Sequence, residues 1–252
     1  FVANCGRCDM CREGRPALCQ PASVANMAGT LMDGTTRLHS NGVPIHHHSG
    51  VAAFAEHAVI SQSALVKIDP SIPFEHAALF GCAVITGVGA VINTAEVSPG
   101  QSVAVVGLGG VGLSSLMAAR AAGAGTIIAI DVEESKLGVA RDLGAHQIFN
   151  AKDTDCVAQV RAATDGGVHL AVETAGAPRA LETAYHITRR GGMTVTAGLP
   201  GPEATITLQH LNLTGEERCL KGSYMGSCVP SRDIPRYMDL FNDPSKVEHI
   251  ND

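Results

Sequence analysis

The chain has 252 residues, 45 % of them hydrophobic and 17 % charged, with a formal net charge of −6. That balance excludes a disordered chain and provides for one large or two ordinary domains with real cores. The negative charge argues against nucleic acid as a partner, and there is no unbroken run of about eighteen apolar residues, the length a membrane span needs.

Read from the start, the first chemistry is in the thiols. Cys5, Cys8, Cys11 and Cys19 stand in C-G-R-C-D-M-C-R-E-G-R-P-A-L-C. Two residues between each of the first three let a turning backbone aim their sulfurs at one point. The longer step to Cys19, through Gly14 and Pro16, lets a fourth thiolate close a tetrahedron. Zn²⁺ is the usual occupant of four thiolates, and four leave no open position for chemistry, so the expected site is structural. A centre of this kind is anionic, and Arg7, Arg12 and Arg15 lie where they could offset it. The alternative is a pair of disulfides, but short C-x-x-C spacings in a chain otherwise poor in cysteine favour metal or redox work and a reducing, cytoplasmic setting. The chain begins Phe-Val-Ala-Asn, without Met and only four residues before a ligand, and reads as a piece of a longer one.

Residues 1–80 show no regular alternation of strands and helices. A Gly- and His-rich connection spans Asn41–Gly50, and strand-like runs lie at Phe54–Ile60 and Leu65–Ile68. His46, His47 and His48 are adjacent, so their side chains diverge and make a poor metal cluster. Glu56 and His57 read as surface. Glu75 and His76, after Pro73, suit the first turn of a helix.

From about Gln101 the pattern becomes strict alternation. Apolar, β-rich runs are expected at Ser102–Val106, Thr126–Ile130, Gln147–Phe149, Leu170–Glu173, Met193–Ala197 and Cys219–Met225. Helical stretches fall between most of them, at Leu113–Ala122, Glu134–Leu143, Cys156–Ala163 and Arg179–Thr188. This predicts an α/β fold, a doubly wound parallel Rossmann sheet. The expected domains are 1–83, with the thiol loop, 84–226, with the alternating strands and helices, and a helical return segment, 227–252. Cys156, Cys219 and Cys228 have no spacing that suggests a metal.

The first of these strands runs into Gly107-Leu108-Gly109-Gly110-Val111-Gly112, and a helix rich in Ala and Leu follows. Gly107 allows the tight turn, Gly109 lets backbone approach a pyrophosphate, and Gly112 permits close helix–strand packing. The phosphates then meet free N–H groups at the helix N-terminus. Asp131 ends the next strand, where a carboxylate hydrogen-bonds the adenosine ribose and repels a 2′-phosphate. Glu133 and Glu134 add negative charge, and Lys136 is the nearest cation. NAD is therefore expected over NADP.

The thiol quartet followed by this unit resembles the zinc-containing, medium-chain alcohol dehydrogenases over nearly the whole chain. The matching stretches are Cys5–Cys19, Ile45–Ile60, Phe80–Gly87, Gly107–Gly112, Gly198–Pro200 and Lys221–Gly226. The resemblance implies a GroES-like character for the first domain and a second, catalytic zinc, with Cys82 as its last protein ligand. The upstream cysteine and histidine ligands, the proton-relay hydroxyl and the C-terminal segment of that family are not among these residues. The implied chemistry is hydride transfer between a zinc-bound alkoxide and nicotinamide, converting an alcohol to an aldehyde or ketone. Thr86 maps beside the nicotinamide; Ala197, Gly198, Leu199, Tyr224 and Met225 map to its end of the cofactor; Phe1 and His48 map to the substrate pocket. A small alcohol or aldehyde substrate and a homodimer or homotetramer are likewise implied. The rival within the family is a glutathione-dependent formaldehyde dehydrogenase, against which stands Ser23 where that branch places an arginine. The rival outside it is a silent NAD-binding protein that keeps only the structural zinc.

Overall fold

The computed structural model describes residues 3–242, with the side chain of Asn242 excepted; Phe1 lies outside them. The described chain divides into two compact units, one of residues 3–82 with Cys228–Met238, the other of Ala83–Ser227 with residues 239–242.

The first unit opens with a short helix α1 (Asp9–Arg12) and helix α2 (Gln20–Ala28), with Gly29 ending α2 in a left-handed turn. A hairpin follows, β1 (Leu38–Ser40) against β2 (Val43–Ile45). Its two-residue turn is Asn41-Gly42, both at positive φ (50° and 79°), the arrangement that matches strand twist in tight hairpins. The runs Phe54–Ile60 and Leu65–Ile68, read from sequence as strand-like, form no strand. A strand exists by its ladder, and no neighbouring segment among the described residues pairs with them. The buried apolar cluster around the thiol loop is small, Ala3, Cys19 and Ala22, with Cys5, Cys8, Cys11, Met32 and Ala64 packed against it.

A long helix runs from Phe74 to Thr94, built of α3 (Phe74–Leu79), a π-helical stretch Phe80–Val84, α4 (Ile85–Gly89) and a second π stretch Ala90–Thr94. It is as long and apolar as a membrane span, yet 61 % of its apolar window is buried within the protein, as befits a core helix. Glycines set how closely it packs. A Cβ on Gly87 would stand 2.2 Å from the Val111 carbonyl, and one on Gly89 2.3 Å from that of Gly226.

The second unit alternates strand and helix: β3 (Ser102–Val106), α5 (Gly110–Ala121), β4 (Thr126–Asp131), α6 (Glu134–Asp142), β5 (Gln147–Asn150), α7 (Cys156–Ala163), β6 (Val168–Glu173), α8 (Pro178–Ile187), β7 (Thr188–Thr196), α9 (His210–Gly215) and β8 (Cys219–Gly222). Among the described residues these strands form one six-stranded parallel sheet in the order β5-β4-β3-β6-β7-β8. The order reverses between β3 and β6, the doubly wound pattern whose crevice opens at the strand C-termini. Burial on both faces explains the unbroken apolar runs: Val103–Val106 and Ile127–Ile130 are at most 3 % exposed. One face packs Ala104, Val106, Ile128 and Ile130 against Cys156 and Val160 of α7 and Ala184 and Ile187 of α8. Cys156 is thus a core residue, and burial raises its thiol pKa. Strand β8 stops at Gly222, short of the expected Met225, because Met225, Gly226 and Ser227 all take left-handed backbone that cannot continue a ladder. Helix α10 (Pro230–Asn242) follows.

Two side chains at the base of this unit carry consequences for stability. Tyr185 is fully buried with Arg218 lying 5.2 Å over its ring, and its hydroxyl has no hydrogen-bond partner among the described residues. Tyr185→Phe is therefore expected to raise stability by about 1 kcal/mol, measured by denaturant unfolding. His169 Nδ1 accepts the Ser102 amide at 3.1 Å and lies 2.7 Å from its hydroxyl. Burial foremost, and then Arg189, lowers its pKa below 6.5. Below pH 6.5 the unfolded chain thus holds a proton that the folded state resists, and stability falls as pH drops toward the folded pKa. His169→Asn, which keeps an acceptor in place of Nδ1, should flatten that loss when thermal unfolding is followed between neutral and mildly acid pH.

Candidate functional site

The thiols of the first unit converge. The Sγ atoms of Cys5, Cys8, Cys11 and Cys19 all lie within 4.8 Å of one another. Sulfurs around a tetrahedral zinc stand about 3.8 Å apart, given Zn–S bonds of about 2.3 Å, and Cys8 and Cys19 are at 3.9 Å. Backbone amides already point at the cluster: Cys5 N–H donates to Cys19 Sγ and Cys8 N–H to Cys5 Sγ, both at 3.3 Å. The Arg7 and Cys8 amides hold the Cys5 thiol down to about 6, while burial pushes Cys11 up to about 12 and raises Cys19. The four cysteines stand as free thiols in this structure, gathered as one group of four. Arg12 pairs with Asp9 and donates to the Arg7 carbonyl, and Arg7 and Arg15 are exposed.

No other group of three or more metal-ligating side chains gathers among the described residues. Of the three adjacent histidines only His47 is buried, and its Nε2 accepts the Arg37 amide at 3.1 Å. His48 is exposed. Cys82 is exposed on the π-helical stretch Phe80–Val84.

In the second unit the strand C-termini bring the other candidates to one edge. β3 ends in the turn Gly107–Gly109 and α5 begins at Gly110. Gly107 sits at φ 95°, and a Cβ there would meet Ala175 at 2.7 Å; a Cβ on Gly112 would meet the Gly107 carbonyl at 1.8 Å. Above Gly109 nothing lies within 4 Å of a would-be Cβ, so the turn is packed beneath and open where a phosphate would lie. Leu108 and Val111 belong to the same turn and first helical residues.

Asp131, buried at the end of β4, accepts the Leu108 amide at 2.6 Å through Oδ2 and the Glu133 amide at 2.9 Å through Oδ1. The carboxylate thus braces the glycine turn as well as standing where a ribose would reach it, a tether the sequence did not reveal. Lys136 Nζ is 3.9 Å from the same carboxylate.

Thr86, buried in α4, donates to Met225 Sδ at 3.8 Å, which joins two candidates 139 positions apart. Tyr224, beside Met225, is partly exposed. Ala197 and Gly198 follow β7, and both donate backbone N–H groups to the Glu173 carbonyl. Leu199 is 76 % exposed. Sequence reasoning passed over Glu173 itself, which ends β6 with 1 % exposure. A signal was available: a lone carboxylate closing the buried apolar run Leu170–Val172 needs partners that only the crevice can provide.

These features match known proteins. The zinc-binding dehydrogenase family profile matches residues 110–243. The chain is 38 % identical over 229 residues to an S-(hydroxymethyl)glutathione dehydrogenase of Synechocystis sp., covering 90 % of this chain and 62 % of that protein. It is 33 % identical over 245 residues to alcohol dehydrogenase 1 of Trifolium repens, covering 96 % and 64 %. Among solved structures it superposes on an alcohol dehydrogenase zinc-binding domain protein from Burkholderia ambifaria with a TM-score of 0.91 at 33 % identity, covering 100 % and 71 %. Benzyl alcohol dehydrogenase from Acinetobacter calcoaceticus gives 0.89 at 32 % identity, covering 100 % and 68 %. The chain spans 62 % to 64 % of the length of the curated relatives it matches. On sequence and fold together, it belongs to the zinc-binding dehydrogenase family.

Proposed function

We propose that the chain serves an NAD-dependent zinc alcohol dehydrogenase, interconverting an alcohol with its aldehyde or ketone. The observation that carries this reading is the glycine turn at the end of β3, crowded from below, open above Gly109, and tethered to the Asp131 carboxylate. In this reading the cysteine-loop unit is part of the catalytic domain and the six-stranded unit binds the cofactor. Zinc supplies Lewis acidity toward an alcohol oxygen, and NAD supplies the hydride acceptor.

The chain's own residues have separable tasks. Amides at the start of α5 receive the pyrophosphate, and Asp131, with Lys136, orients the adenosine ribose. Ala197, Gly198, Leu199, Tyr224 and Met225 flank the nicotinamide end, with Thr86 held against Met225. Cys82 offers one thiolate toward a catalytic zinc, and the quartet Cys5, Cys8, Cys11 and Cys19 holds a structural one. His48 is a substrate-pocket candidate.

A second reading, oxidation of a glutathione adduct of formaldehyde, is favoured by the 38 % identity to S-(hydroxymethyl)glutathione dehydrogenase. Ser23 in place of an anchoring arginine weighs against it. Assaying the full-length protein with NAD and either simple primary alcohols or S-(hydroxymethyl)glutathione decides between them. Activity with neither would overturn the proposal.

Two substitutions test the residue roles. Asp131→Gly removes both the ribose partner and the tether to Leu108. NAD affinity should drop, and the preference for NAD over NADP should shrink at least about tenfold, or ~1.4 kcal/mol, in kcat/KM. Cys8→Ser breaks the quartet and should remove one zinc per chain and about 4 kcal/mol or more of stability. NADH affinity of the folded fraction should stay nearly unchanged, as metal analysis and fluorescence titration would report.

A further inference from the structure

Glu173 makes its hydrogen bonds with the chain immediately around the crevice. Oε1 accepts the amides of Ala175 at 2.8 Å and Gly176 at 2.6 Å, and Oε2 accepts the Thr196 hydroxyl at 2.7 Å. Its own backbone carbonyl takes the amides of Ala197 and Gly198. One residue thus clasps two segments, the loop Thr174–Gly176 after β6 and the end of β7 with the residues that follow it.

The loop is a spacer with contacts on both sides. Toward β3, Thr174 Oγ1 donates to the Gly107 carbonyl at 2.6 Å, and Ala175 stands where a Cβ on Gly107 would be. Toward β7, a Cβ on Gly198 would come within 2.2 Å of the Gly176 amide nitrogen, and one on Gly176 within 2.8 Å of the Leu199 carbonyl. Backbone therefore touches backbone from the glycine turn, through the loop, to Gly198 and Leu199. The chain of contacts has no slack except in the loop's own conformation, and the Glu173 carboxylate fixes that by holding consecutive amides.

We propose that Glu173 is a positioning residue that sets the spacing between the phosphate-cradling turn at Gly107 and the nicotinamide-end segment Ala197–Leu199. This rests on the dinucleotide reading above. A buried carboxylate suits the task, since hydrogen bonds to a charged acceptor are about twice as strong as neutral ones and hold their geometry. The turn keeps its separate anchors, Thr174 to Gly107 and Asp131 to Leu108, so loss of Glu173 should misplace the far segment and leave the phosphate cradle in place.

The test compares NADH with ADP-ribose, which lacks nicotinamide, by titration on the full-length protein. Glu173→Ala should weaken NADH about tenfold, the loss expected for hydrogen bonds to a charged group, while changing ADP-ribose affinity little. Glu173→Gln, which keeps an acceptor for both amides and can donate to Thr196, should restore most NADH affinity. Thr196→Val removes one bond and should give an intermediate loss for NADH, and it decides the matter if Glu173→Ala does not fold. Equal losses for both ligands, or none, in the folded variants would overturn the positioning role. A wild-type protein that binds neither ligand would overturn the dinucleotide reading itself, and this proposal with it.

Discussion

A parallel sheet covered on both faces has nowhere to expose a polar side chain except at its strand ends, and this constraint organises the six-stranded unit. β3 and β4 bury every residue between Val103 and Val106 and between Ile127 and Ile130. Their polar groups therefore wait until the chain leaves the sheet. At the C-terminal edge those exits are Gly107, Asp131, Glu173 and Thr196, and each meets another segment of the same edge. Because the strand order reverses between β3 and β6, the exits on either side of the reversal diverge and leave a crevice. The candidate site is a by-product of that topology, completed by side chains that tie the exits together.

The thiol-bearing unit solves a different problem. Its buried apolar cluster is small, and large apolar side chains such as Phe54 and Met27 are largely exposed. Little hydrophobic burial is available there to order the loop. A divalent cation gathering the thiolates from a stretch of fifteen residues, Cys5 to Cys19, could supply what the apolar cluster does not. Amide-to-sulfur bonds at Cys5 and Cys8 show the backbone already folded around that point.

Legibility in the sequence followed physical cause. The sheet strands could be read because burial on both faces writes continuous Val, Ile and Ala runs between turn residues. The quartet could be read because its ligands are neighbours in the chain. Relations across long separations were invisible: Thr86 to Met225, Asp131 to the Leu108 amide, and the Glu173 clasp all depend on which strand ends become adjacent. The β1–β2 hairpin was legible and overlooked, since Asn41-Gly42 is the usual residue pair for its turn. Phe54–Ile60 and Leu65–Ile68 carry the opposite signal, β-prone residues that form no strand. Propensity cannot stand in for a pairing partner.

The meeting of Gly89 and Gly226 bears on how this protein can vary. The space for a side chain on Gly89 is taken by Gly226 backbone, and that on Gly226 by the Ile85 carbonyl and Gly89 Cα, so a larger residue at either position collides, and a second change at the partner adds volume instead of relieving it. The two sites therefore hold each other in place without compensating for each other. A map of tolerated substitutions would score them as strictly as any metal ligand, although neither carries a functional group. At such points intolerance reports crowding, and reading it as chemistry would draw the active site too large.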